Sequence, residues 1–372
     1  MTEKPAAAAP PASDDTVARR RDVRDRLIAE GLDALLVTGL PNVRYLSGFT
    51  GSAGLLVVTA EPLDVFLTDF RYQAQVADEV DGSVEVRIVS ESLLKQARRL
   101  VSEREAGRVA FEREQLSYRS WAEWSESEGP ALVPVDEWVE EARAVKSRLE
   151  VETIRRACRV ADETFHVLMG EVREGVSERE LAARIALELA RLGSDGPSFD
   201  PIVAFGERSA LPHARPGGRR LRPGDVVLFD FGAVVEGYVS DMTRTVAFGE
   251  PAPELRAVYD SVLEAQLAAL TGIRPGMSGP EADALARDPL EAAGYGDRFG
   301  HSLGHGIGLE VHEAPRLSRK SEDRLAPGMT VTIEPGVYLD GVGGIRIEDD
   351  VVIDDSGLEV LTTAPKDRLI VL

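Results

Sequence analysis

From about residue 16 to residue 135 the apolar positions switch between two rhythms. VARRRDVRDRLIAEG has the spacing of a charged helix, DALLVTG, AGLLVVTAE, DVFLTD and VEVRIVS read as strands, and RYQAQVADEV reads as a helix before the last of them. This alternation predicts a modest α/β domain over residues 16–136, after an Ala/Pro-rich tail at 1–15 expected to be disordered. EWVEEARAVKSRLEVETIRRA (137–157) is densely charged with helical period, and its first part, 137–146, is predicted to link two domains. Helical segments at 147–171 and 177–193 then precede strands, and a second helical pair at 253–272 and 279–293 does the same.

That order suggests a duplicated unit within 147–372. LRPGDVVLFDFGAVVEG (221–237) aligns with LAPGMTVTIEPGVYLDG (325–341), so that Asp230 and Glu334 occupy the same place in each half. The second acids, Asp241 and Glu348, follow by 11 and 14 residues. A pseudo-twofold α/β domain with metals between its halves is the simplest geometry for this repeat.

The acids sit in apolar frames. Asp230 ends the buried-strand run VVLFDFG, TVTIE puts Thr330, Thr332 and Glu334 on one face, and GIRIEDD puts Arg346 and Glu348 together opposite Ile345 and Ile347. Ionised carboxylates about 4 Å apart repel by about 4 kcal/mol at an effective dielectric of about 20. Asp230, Asp241, Glu334 and Glu348, joined by His305, therefore call for cations. Two divalent ions would cancel the four charges, and an oxygen-rich set with one imidazole suits Mn²⁺, with Co²⁺, Fe²⁺ or Zn²⁺ as alternatives.

Composition narrows the partners. The chain has 372 residues, 43% hydrophobic and 29% charged, with a net charge of -21 that disfavours nucleic acid and anionic membrane. The basic clusters at 19–26 and 215–222 read as solvated faces. Cys158 is the only cysteine, which excludes an intramolecular disulfide and suggests a packing thiol. The N-terminal stretch lacks the pattern of a signal peptide and no apolar run is long enough to span a membrane, so the cytoplasm is the expected location. Trp121, Trp124 and Trp138 are expected to pack between domains.

Four of the five histidines, His213, His301, His305 and His312, lie in the acid-rich half, whereas His166 is expected to be a packing or surface residue on a helix. Gly304, Gly306 and Gly308 make a helix around His305 unfavourable, and the order is not that of a helix-borne HExxH zinc site. Two ions about 3.5–4 Å apart can share a hydroxide that attacks a carbonyl, which points to amide or ester hydrolysis. Glu334 is then a candidate proton shuttle, and His213 or His312 a stabiliser of the oxyanion or leaving nitrogen. Arg346 is expected to orient ligands, and Arg316 to clamp a carboxylate or lie on the surface.

DFGAVVEGYVSDMTRT, SLGHGIGLEVHE, TIEPGVY and GIRIEDD together resemble the metal motifs of the pita-bread metallopeptidases, within them the Xaa-Pro aminopeptidase and prolidase branch. NVRYLSGFTGSAG and LTDFRYQAQ more weakly resemble the creatinase-type N-terminal domain. The resemblance implies an α/β (α+β) chain with a creatinase-like first domain and a pita-bread catalytic domain. By the same resemblance, Asp241 and Glu348 would bridge two metals, Asp230 would chelate one, and His305 with Glu334 would complete the other. His213, His301, His312 and Arg316 would face a proline-containing peptide, Arg316 at the place where some prolidases hold a dipeptide's carboxylate. The implied ion is commonly Mn²⁺, and the implied assembly is commonly a homodimer. Two other readings stay open at this point: a noncatalytic peptide- or histone-binding protein on the same fold, and a metal-independent amidinohydrolase resembling creatinase.

Overall fold

The computed structural model describes residues 13–126 and 129–372, which divide into one compact unit ending at Arg143 and another running from Ala144 to Leu372. Of the tail expected over 1–15, residues 1–12 lie outside the described residues, and helix Ser13–Glu30 begins at its end.

The first unit is built on a six-stranded sheet. Its central strand, Ala34–Val37, pairs antiparallel with Gly54–Thr59 and parallel with Arg108–Glu112. These two neighbours lead outward to Val65–Thr68 and Glu85–Ile88 on one side and to Ala131–Val135 on the other. The run ALLV is buried along its whole length, which explains why it lacks the alternation of a half-exposed strand. Helix Leu40–Ser47 has no side-chain cap on its first residue, but the Glu112 carboxylate accepts from Thr38 and Gly39 amides at 2.6 and 2.8 Å, covering the positive end.

Trp124 does not fit the expected interdomain cluster. It lies in the core of the first unit with Leu36, Leu55 and Phe111, its indole donating to the Pro130 carbonyl at 3.1 Å. Trp121 is half-exposed beside Tyr118, and Trp138 lies under the Arg26 guanidinium. The expected linker also differs: helix Trp138–Ala144 fills most of it, Val145 bridges to Met329, and Lys146 is buried. Ser147 then opens helix Arg148–Met169 with a capping box to Glu150.

The second unit carries the repeat through in three dimensions. Helices Arg148–Met169 and Glu178–Arg191 recur as Pro253–Gly272 and Gly279–Ala292. Ser177 and Ser278 each cap the second helix of the pair and bridge to Arg220 and Arg324 respectively. The Gly175 amide donates to Leu221 and the Gly276 amide to Leu325, at 2.9 and 2.7 Å. Each half has its own core: Phe165, Leu181, Ile185 and Phe229 in the first, Val258, Leu290, Val331 and Ile347 in the second. A fully buried side chain of this kind contributes about 1.5–3 kcal/mol.

Strands Asp225–Phe231 and Met242–Phe248 form an antiparallel pair in the first half. The second half has a five-stranded sheet containing Gly304–Gly306, Thr330–Ile333 and Asp349–Ile353. GIRIEDD is not one continuous strand, since Gly343–Arg346 pairs with Gly336–Leu339 whereas Asp349–Ile353 pairs with Thr330–Ile333. Ile347 and Glu348 lie at the switch, and Glu348 donates its amide to the Thr243 carbonyl at 3.1 Å. The acid thus stands where one half meets the other. Among the described residues no helix is long and apolar enough to cross a membrane.

Candidate metal centre

Each acid reaches the centre from a different element. Asp230 is near the end of Asp225–Phe231, paired across from Thr243. Asp241 precedes the partner strand and is fixed by its own amide, which donates to the Asp350 carboxylate at 2.8 Å. Because side chains alternate along the strand, Asp241, Thr243 and Thr245 share a face. The Thr243 hydroxyl donates to Glu348 at 2.6 Å and accepts from Arg346 Nε at 2.9 Å, so one small side chain aims an acid and an arginine together.

His305 sits in a very narrow place. A Cβ on Gly304 would lie 1.9 Å from the Thr332 carbonyl, and one on Gly306 would lie 2.1 Å from that of Ala314, so only glycine lets the flanking strands close around the imidazole. His305 Nδ1 is 3.1 Å from the Gly306 carbonyl, a bond in which the ring nitrogen must donate. Its Nε2 therefore carries the lone pair, and it points at Glu334 Oε1 at 3.5 Å and Asp241 Oδ2 at 3.8 Å.

Asp241, His305 and Glu348 each offer a ligand atom within 4.8 Å of the others. Burial, together with Glu348 and Asp230, pushes the Asp241 carboxyl well above its usual range. Glu334 is raised well above its own range by burial and by the charge of Glu348, and Glu348 is pushed up to about 7 by burial and then Asp230. Burial, then His312, lowers His305 to about 4, leaving a neutral imidazole at pH 7. Among the described residues Asp241 Oδ1 is buried without a hydrogen-bond partner. A neutral imidazole with an inward lone pair, an orphaned carboxylate oxygen and acids that hold protons for want of a counter-charge fit a multivalent cation.

Arg346 runs behind this group. Its guanidinium pairs with Asp230, donates to the Tyr338 hydroxyl at 2.8 Å and reaches the Pro212 carbonyl at 3.4 Å, one residue before His213. His301 Nδ1 lies 2.9 Å from the Ser302 carbonyl, so its Nε2 accepts from Tyr338 at 2.9 Å. Both ring nitrogens of His301 are thus engaged. Burial holds the Tyr338 hydroxyl up at about 12, protonated and able to donate. Tyr338 and Thr243 were not singled out from the sequence: a tyrosine in GVY and a threonine in TRT read as ordinary strand residues until the pairing register puts them beside Arg346.

His312 is exposed, its ring centroid 4.3 Å from that of His305. Arg316 is exposed and pairs across from His305 on the next strand, and its charge acts on both histidines. His213, also exposed, is close enough to act on Asp230, His301 and His312. His166 lies on the outer face of its helix. The four acids, four histidines and two arginines named from the sequence thus gather in one region: a buried acidic floor with His213, His312 and Arg316 along its open side.

Known proteins are similar to this chain. Residues 152–355 match the model of metallopeptidase family M24, and residues 19–145 that of the creatinase/prolidase N-terminal domain. An Xaa-Pro dipeptidase of Pyrococcus horikoshii is 36% identical over 91% of this chain and 95% of its own. The structure of an Xaa-Pro dipeptidase from Bacillus anthracis superposes with a TM-score of 0.91 at 40% identity, covering 97% of this chain and all (100%) of that one. That of an X-Pro aminopeptidase from Thermotoga maritima gives 0.87 at 38% identity, covering 94% and 100%.

Proposed function

This chain belongs to metallopeptidase family M24 and carries the creatinase/prolidase N-terminal domain, and from that premise we propose that it hydrolyses Xaa-Pro bonds, at the N-terminus of peptides or in Xaa-Pro dipeptides. The observation that carries the reading is the convergence of Asp241, His305, Glu334 and Glu348, with the imidazole lone pair turned inward and an Asp241 oxygen left for a ligand.

In this reading Asp230, Asp241, His305, Glu334 and Glu348 would hold two divalent ions between them. When bound, such ions supply Lewis acidity and make water a stronger acid. Glu334, half-buried beside His305 and with its carboxyl raised, takes the proton of the attacking water and passes it to the departing proline nitrogen. That nitrogen belongs to a tertiary amide and leaves without a hydrogen of its own, so the delivered proton is essential. His312 and His213 stand at the rim to stabilise the oxyanion or contact the leaving group. Arg346 keeps Asp230 and Tyr338 in place from behind, and His301 holds Tyr338 from the other side.

Mn²⁺ as the ion, a homodimeric assembly and a cytoplasmic location complete the proposal. The donor set of four carboxylates and one imidazole supports a hard or borderline ion. Metal analysis and sedimentation test the first two, and fractionation of cells tests the third.

The experiment for the activity compares Ala-Pro, Ala-Pro-Xaa and Ala-Ala-Xaa with Mn²⁺ present. Cleavage of the proline substrates with Ala-Ala-Xaa largely spared is expected; equal cleavage of all three would sink the proline assignment. Arg316→Ala is expected to slow Ala-Pro selectively, since only the dipeptide puts a carboxylate beside the bond being cut. An equal loss on Ala-Pro-Xaa would remove the clamp. A binding-only protein would cleave nothing, and a metal-independent amidinohydrolase would keep its activity through exhaustive chelation.

A further inference from the structure

Lys146 comes from the densely charged stretch expected to link two domains, yet its side chain is 1% exposed and its ammonium lies 3.1 Å from Glu313 Oε2, itself in a side chain only 6% exposed. The other oxygen, Glu313 Oε1, accepts from the amides of Leu309 and Glu310 at 2.9 and 3.1 Å. The loop from Gly308 to Glu313 is therefore wrapped around one carboxylate. Gly308 closes the wrap: a Cβ there would lie 2.6 Å from that carboxylate, and its carbonyl accepts from the Val239 amide at 2.9 Å.

His312 is the residue before Glu313. Its ring makes no hydrogen bond among the described residues and rests against His305, so its direction over the centre is set by its backbone. A buried ion pair adds little net stability compared with an apolar pair of the same shape, but it fixes the geometry of whatever it ties.

We propose that Lys146 and Glu313 form a positioning pair that holds His312 over the metal centre, with Lys146 anchoring the knot from the segment that enters the second unit. The proposal rests on the reading that His312 contacts the reacting substrate. Neither Lys146 nor Glu313 touches substrate. They act through the loop.

The test measures kcat and KM on Ala-Pro-Xaa, with metal content, for Lys146→Met, Lys146→Arg, His312→Ala and the double variant Lys146→Met/His312→Ala. Displacing a catalytic contact by about 1 Å lowers turnover by up to about a hundredfold, so Lys146→Met is expected to lose about ten- to a hundredfold in kcat with metal content unchanged. Lys146→Arg, which keeps the cation, should return most of the rate. The double variant should be no slower than His312→Ala alone.

Multiplicative losses in the double variant, or a Lys146→Met enzyme as fast as the parent while His312→Ala is slow, would overturn the pair and leave the reading of His312 standing. A His312→Ala enzyme with full activity would overturn both. Where Lys146→Met fails to fold, Glu313→Gln and its combination with His312→Ala carry the same comparison, because the amide keeps the size of the carboxylate while removing its charge.

Discussion

Glu348 and Asp349 are consecutive buried acids facing opposite ways, and their surroundings could hardly differ more. Glu348 turns toward the metal centre, takes one short hydrogen bond from Thr243, and is pushed up to about 7. Asp349 turns away and accepts from Arg244 Nη2 at 2.7 Å, from Gln266 Nε2 at 2.6 Å and from the Lys366 ammonium. Burial would raise its carboxyl too, but Arg244 and Lys366 hold it below the usual range. Both are removed from water, so the difference lies in what replaces the water. Around Asp349 the protein supplies the counter-charge itself, whereas around Glu348 it gathers further acids and leaves the counter-charge to come from outside. A structural carboxylate and a ligand carboxylate can therefore be told apart by whether their donors are complete.

The sharpest way to break this comparison is to neutralise each acid in turn. Glu348→Gln is expected to abolish activity by several orders of magnitude and to lower bound Mn²⁺ from about two equivalents, with the metal-free protein at least as heat-stable as the parent. Asp349→Ala is expected to do the reverse. Removing it leaves the buried Arg244 guanidinium and the half-buried Lys366 ammonium without their carboxylate counter-charge, which costs about 3–5 kcal/mol of stability, while Mn²⁺ binding persists in whatever remains folded. Thermal melts and metal analysis on the two proteins check this. A Glu348→Gln protein that still binds its full metal, or an Asp349→Ala protein that melts normally but has lost it, would invert the assignment.

The pH response separates the same two regions without mutation. Asp241, Glu334 and Glu348 have carboxyls raised on folding, so their contribution to the stability of the metal-free protein is present below the unfolded value of about 4 and is lost as pH rises through the folded value, about 7 for Glu348. Asp349 is lowered, so its contribution is complete above about pH 4 and fails only in acid. His301 and His305, lowered to about 4, add stability as pH rises to about 6.5, so the melting temperature in chelator should fall between about pH 6.5 and 8, and the increase given by Mn²⁺ should grow over that range. A chelated protein whose melting temperature rises steadily to about pH 8 would show that the acids are already compensated without metal.

The sequence carries half of this distinction. Asp230 and Glu334 could be found because period-two alternation in apolar strands puts an acid where water is scarce, and because the repeat duplicates the first acid of each half. The run EDD, however, contains three successive acids, and nothing local says which one faces the centre. That depends on the strand changing partners at Ile347 and Glu348, a long-range event. Tyr338 was hidden for a similar reason, since it meets Arg346 only through the hairpin joining Gly336–Leu339 to Gly343–Arg346. Lys146 was hidden by its neighbours, because a lysine in a charged helical stretch is ordinarily solvated. Its burial comes from Glu313, distant in sequence.

Asp350, the third of the run, tests whether these two kinds of environment are the only ones. One of its oxygens accepts from the Asp241 amide at 2.8 Å and from the Cys158 thiol at 3.3 Å, and the other is buried without a partner among the described residues. Burial and Asp350 raise Cys158 well above the usual thiol value, so the thiol stays protonated and donates. Through the Asp241 amide Asp350 serves the centre, yet it needs no metal to do so. Cys158→Ala removes only the weaker of the two bonds and a small buried group, so a loss of about 1 kcal/mol is expected, with Mn²⁺ affinity and kcat within about twofold of the parent. The measured pair is a melt and a metal titration. If affinity falls while the melt is unmoved, the thiol is aiming Asp241 through Asp350, and the structural side of the comparison begins one residue closer to the metal than Asp349 indicates.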